Sequence, residues 1–124
     1  MTNREMLELA AKAAGYYFHG LRVGLDYENC FVSTTNDPDD WFIWAPHADD
    51  GDALRLKVSL HLIVGSYSTY SSVGGTYTTG NYTVPDEITV WHHETAGDAC
   101  AAERLAITRA AAEIGRQMEE ASND

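Results

Sequence analysis

Apolar positions recur along this chain at helical spacing in some segments and at every second residue in others, and the changes of period mark its elements. Thr2-Asn3-Arg4-Glu5 has the form of a capping box, in which hydroxyl and carboxylate each satisfy the other residue's exposed backbone donor. A helix should follow, with Met6, Leu9, Ala10 and Ala13 as one buried stripe and Gly15 as its stop. Over residues 16–32, aromatic and β-branched residues around Gly20 and Gly24 predict two short strands with a turn near 26–29. Asn36-Asp37-Pro38-Asp39-Asp40 is a turn cluster, because Asn and Asp bond to their own nearby backbone and proline sets φ. It leads into Trp41-Phe42-Ile43-Trp44, whose two tryptophans are expected to anchor the core.

Residues 52–64 carry conflicting signals. Leu54, Leu56, Val58, Leu60 and Leu62 alternate with other residues at the period of a strand. Against that, Asp49 and Asp50 are good N-caps, Asp52 would meet the positive end of a helix dipole, and Arg55 and Lys57 lie toward its negative end. The capping and charge pattern decides for a helix over about 50–60, followed by a strand over about 61–70.

The segment from about 65 to 84 is rich in Ser, Thr, Tyr and Gly, and Gly74-Gly75 at its centre would accept the positive φ of a hairpin turn. Val84-Pro85-Asp86 turns the chain into a last strand over 87–92. Asp98 then caps a long final helix to about Met118, with Cys100, Ile107, Ala111, Ile114 and Met118 as its main stripe and Ala106 and Ala110 beside it. Arg109 and Glu113 stand at the spacing of a surface ion pair, and the tail beyond Glu119 should fray. The order is helix, two strands, helix, three strands, helix. The expected fold is a single α+β domain, with an antiparallel sheet of four to five strands and all three helices packed on one face.

Charge narrows the function. Eight Lys and Arg stand against nineteen Asp and Glu, a formal net charge of -11. No basic run exists to neutralise phosphates, which argues against nucleic acid, and the same surface repels anionic lipid. A partner protein with a basic surface is the better match. No cationic segment followed by an apolar run opens the chain, no apolar stretch approaches membrane-spanning length, and Cys30 and Cys100 lack ligand spacing. These features fit a soluble cytoplasmic protein with both thiols buried and reduced.

Each candidate chemistry has a plainer reading beside it. Asp49-Asp50-Gly51-Asp52 could gather around a hard cation, but the residue at the twelfth position of a calcium loop is Leu60, and helix capping accounts for the aspartates. His92-His93-Glu94 with Asp98 offers transition-metal ligands, yet adjacent residues of a strand point to opposite faces. Val64-Gly65-Ser66-Tyr67-Ser68 lacks the form of a nucleophile elbow, and Gly74-Gly75 lacks the lysine and helix of a phosphate loop. No motif implies a cofactor. Tyr67, Tyr70, Tyr77 and Tyr82, interleaved with Ser and Thr, have the composition of binding loops, although the same residues are also good strand formers.

The block Trp44-Ala45-Pro46-His47-Ala48-Asp49-Asp50-Gly51-Asp52-Ala53-Leu54-Arg55-Leu56-Lys57-Val58-Ser59-Leu60 resembles a motif of small uncharacterised bacteriophage and prophage proteins. That motif runs Trp-Asn-Pro-Leu-x-Asp-Asp-Gly-Asp-Ala-Leu-Arg-Leu-x-Val-x-Leu. Trp44, Pro46, Asp49, Asp50, Asp52 and Arg55 are among the matching positions and read as structural, while Ala45 and His47 depart from it. Residues 5–15 and 106–116 are similar as well. The resemblance implies a scaffold with shared ends around a divergent middle, and no assigned activity.

Taken with charge and the tyrosine segment, it leads us to expect a non-enzymatic phage accessory protein. It would bind a host protein in the host cytoplasm, with a component of antiviral defence as the candidate target. One alternative is a sponge for a small nucleotide signal, with Arg22, Arg55 or Lys57 on phosphate and a tyrosine on the base. The other is a metal-dependent enzyme using His92 or His93.

Overall fold

Each helix begins where an oxygen-bearing side chain can accept the backbone N–H three residues on. Thr2 Oγ1 accepts from Glu5 at 3.1 Å, Asp49 Oδ2 from Asp52 at 2.8 Å and Asp98 Oδ1 from Ala101 at 3.0 Å. These caps open α1 (Asn3–Ala14), α2 (Asp50–Ser59) and α3 (Ala99–Ser122) in a computed structural model that describes residues 2–23, 28–73, 78–79, 82–83 and 87–122. Gly15 ends α1 in the left-handed conformation, φ 80°, where a Cβ would be strained.

The described strands are β1 (Tyr17–Val23), β2 (Glu28–Ser33), β3 (Phe42–Trp44), β4 (Val64–Ser66), β5 (Tyr70–Val73), β6 (Thr78–Thr79), β7 (Tyr82–Thr83) and β8 (Ile88–Trp91). They form two three-stranded antiparallel sheets, β1-β2-β3 and β4-β5-β8, with β6 and β7 as a separate two-stranded ladder. The fold is α+β, but a single sheet of four to five strands is corrected by this pairing. The chain leaves β3 through α2, β4 starts afresh, and β5 spends both its edges on β4 and β8. Nor do three helices share one sheet face: α1 packs on β1 and β2, while α3 packs on β4, β5 and β8 and also meets α1 and α2.

Local expectations shift accordingly. Glu28 and Asn29, expected in a turn, belong to β2 and pair with Val23 and Arg22, and residues 24–27 lie outside the described residues. The strand expected over 61–70 is broken by a turn at 67–69, where Tyr67 N donates to Tyr70 O at 2.9 Å. The single hairpin of 65–84 resolves into β4 with β5 and β6 with β7; its expected hinge, Gly74-Gly75, lies outside the described residues.

One core joins the two halves, with Leu7, Val32, Val73, Val90 and Ile114 fully buried and Trp44, Leu56 and Leu60 packed among them. In α1 the buried face is Met6, Leu7, Ala10 and Ala11, a rotation from the expected stripe. α3 is buried around much of its circumference, at Ala102, Ala106, Ile107, Thr108, Ala110, Ala111, Ala112, Ile114 and Gly115, because it serves as partner to a helix and a sheet at once. Its alanines let neighbours approach closely. A Cβ on Gly115 would lie 1.9 Å from the Leu9 carbonyl oxygen, so α1 and α3 cross there backbone to backbone.

Three further expectations fail for tertiary reasons. Cys30 is buried but Cys100 is exposed, on the first turn of α3. Trp44 is 3% exposed but Trp41 is 50% exposed, its ring edge-on to Phe31 at 4.7 Å. Arg109 pairs with Glu94 at 3.8 Å rather than with Glu113, which binds Arg116. Among the described residues no helix is long and apolar enough to cross a membrane.

Candidate functional site

Alternation along β5 and β8 sorts their side chains into two layers. Ser71, Val73, Val90 and Ile88 share one side, that of α3, and Tyr70 opposite Trp91 share the other. Tyr67, from the β4–β5 turn, stacks on Tyr70 with centroids 4.6 Å apart and planes 20° apart, and Tyr70 meets Trp91 at 4.9 Å and 51°. The three rings form a continuous ridge with Tyr67 and Trp91 about half exposed.

The ridge is held from below and from the side. Tyr67 lies over Gly65, where a Cβ would stand 2.7 Å from the ring, so the missing side chain makes the seat. Trp91 N donates to Glu94 Oε2 at 2.8 Å and His92 N to Thr69 O at 2.9 Å, tying the end of β8 to the β4–β5 turn. Glu87, bonded to Ser72, and Glu94 set carboxylates at its margins. Rigid rings with exposed edges and an acidic margin are of the kind that protein contacts use.

Of the tyrosines singled out in the sequence, Tyr67 and Tyr70 come together here. Tyr77 lies outside the described residues, and Tyr82 is described only as a backbone position in β7. Trp91 was not singled out. Its signal was weak: a tryptophan at a strand end, made significant only by the register that sets it against Tyr70.

The motif residues are occupied with structure. Beyond its cap to Asp49, Asp52 accepts from Ala45 N at 2.9 Å and pairs with Arg55 at 2.7 Å, while Asp50 pairs with Arg104 at 2.6 Å. Arg104 also donates to the His47 carbonyl at 3.4 Å, and Trp44, Ala45 and Pro46 are buried. The block therefore staples the loop after β3 to α2 and α3. Burial pushes the His47 imidazole pKa down, with Arg104 adding to this and the Glu28 carbonyl and carboxylate opposing it. Its Nδ1 is buried without a hydrogen-bond partner among the described residues.

The residues proposed for other chemistry are not assembled. Arg55 and Lys57 stand about 160° apart around α2, and the side chain of Arg22 lies outside what is described. His92 and His93 occupy the single 3-10 turn after β8, and among the described residues no three His, Cys, Asp or Glu gather as a metal site. Comparison with protein-family models, curated proteins and solved structures finds no match to this chain. The site is read from its geometry.

Proposed function

We propose that this is a non-enzymatic accessory protein that binds a partner protein through the Tyr67–Tyr70–Trp91 ridge. The observation that carries the reading is the ridge itself: three rings in successive contact through Tyr70, the outer two half exposed, on the sheet side away from α3. Contiguous exposed apolar surface marks contact sites where single exposed rings do not, and aromatic anchors dominate binding energy at protein interfaces. The Glu87 carboxylate and the net charge of -11 favour a partner with a basic surface. The phage-like motif suggests the setting, a host cytoplasm in which a defence component is the candidate target.

Tagged protein and a Tyr67→Ser/Trp91→Ser variant are compared in capture from host lysate, with circular dichroism as the check on folding. A specific host protein retained by the wild type and lost by the folded variant supports the reading. The same proteins captured by both would refute it.

A further inference from the structure

The alternating leucines of α2 conceal two separate helical stripes. Successive residues turn by about 100° around a helix, so positions two apart fall on nearly opposite sides and positions four apart on the same side. Leu56 and Leu60 face the core, while Leu54 and Val58 face outward, 58% and 61% exposed. The helix is therefore apolar on two sides and partnered on one. Its outer stripe opens on one flank into a cleft of about 280 Å³ between α2 and α3, lined on the α2 side by Asp50, Ala53, Leu54 and Lys57 and on the α3 side by residues that include Glu103 and Arg104.

The charges beside this stripe are arranged for self-recognition. Asp50 and Lys57 are seven residues apart, about two turns, and so share one flank of the stripe. Asp50 is exposed and gives one oxygen to Arg104; Lys57 makes no ion pair among the described residues. If two α2 helices meet antiparallel about a two-fold axis at Leu54, that axis brings like flanks together and reverses their direction. Leu54 then meets Leu54 of the second copy. Asp50, four residues before the axis, lies beside Lys57 of the second copy, three residues before it after inversion. Val58 lies over Gly51, which has no side chain to obstruct it. The helix dipoles oppose as well.

We infer that the Leu54–Val58 face of α2 docks on the same face of a second copy, as an isologous antiparallel helix pair. A ten-residue helix pair buries less than the roughly 1,200 Å² of a standard stable interface, and two copies of charge -11 repel at low ionic strength. The dimer is therefore weak and is strengthened by salt that screens the net charge.

Sedimentation velocity of the full chain, from micromolar to near-millimolar concentration at physiological salt or above, reads the association directly. The wild type is expected to dimerise with rising concentration, and Leu54→Asp to remain monomeric. Lys57→Glu, at the half-buried rim of the cleft, should raise Kd by about tenfold or more. Mixing Lys57→Glu with Asp50→Lys restores association, because each mixed pair then joins opposite charges at both of its 50–57 contacts. A wild type that stays monomeric throughout, leaving the stripe to some other protein, would overturn the inference. So would a dimer indifferent to Leu54→Asp and Lys57→Glu, which places the contact on another face.

Discussion

Replacing Gly115 with alanine tests the helix crossing on which both halves of the fold depend. In an isolated helix this change is favourable by about 1 kcal/mol, because glycine loses more backbone freedom on folding. Here the new Cβ would stand 1.9 Å from the Leu9 carbonyl oxygen and 2.6 Å from its carbon. Carbon and carbonyl oxygen rest about 3.3–3.6 Å apart even in close Cα–H···O contacts, so α1 and α3 must separate by more than about 1 Å. The obstacle is backbone and cannot rotate away. A gap of that size forfeits about a quarter to a half of the dispersion energy along the contact, and overpacking costs about 1–3 kcal/mol before the helix gain is subtracted. The upper end applies, which leaves a net loss of about 2 kcal/mol, or roughly 6–10 °C in Tm for a domain of this size. Gly51→Ala is the control: the nearest atoms to its Cβ would be the mobile Arg55 guanidinium and the Asp49 cap oxygen, all side-chain atoms and all at 3.3 Å. It should be neutral or stabilising by up to about 1 kcal/mol. Urea unfolding followed by circular dichroism at low protein concentration measures both. A Gly115→Ala protein as stable as the wild type would refute the backbone crossing.

Two further expectations concern titration and thiols. The His47 pKa is lowered by burial, so the unfolded chain takes up the proton first: this group's contribution is complete above about pH 6.5 and is lost as pH falls toward the folded value. The urea midpoint should therefore drop between about pH 7.5 and 5.5, and His47→Gln should flatten that slope; an unchanged slope would exclude His47 as its source. Cys30 donates to the Trp44 carbonyl at 3.4 Å, and burial, with the Asp52 charge second, pushes its pKa up to about 12. A thiol reagent should thus titrate Cys100 alone in the native protein and Cys30 only in denaturant, whereas two fast thiols would contradict the burial of Cys30.

Much of the local structure was legible in the residues themselves. Thr2, Asp49 and Asp98 announce helices because capping is a bond between a side chain and a backbone group three residues away, a relation the sequence contains whole. Capping also overruled the strand-like alternation of α2 correctly, though not its meaning. The leucines alternate because two i, i+4 pairs are interleaved, and which pair turns inward depends on where α3 lies. Of the site, Tyr67 and Tyr70 could be proposed from composition, while Trp91 could not.

What sequence alone determined about this protein is its α+β class, the starts of its helices and the ends of the first two, several of its strands, and its acidic net charge, while α3 runs on to Ser122, past the end expected near Met118. Tertiary structure decided how the strands divide between two sheets, why Trp44 is buried and Trp41 is not, why Cys100 is exposed, and which rings form a ridge. The division follows the range of the forces. Caps, turns and helical periodicity act over three or four residues, whereas strand partners and buried faces are settled between segments tens of residues apart, as when the register of β5 on β8 sets Tyr70 against Trp91.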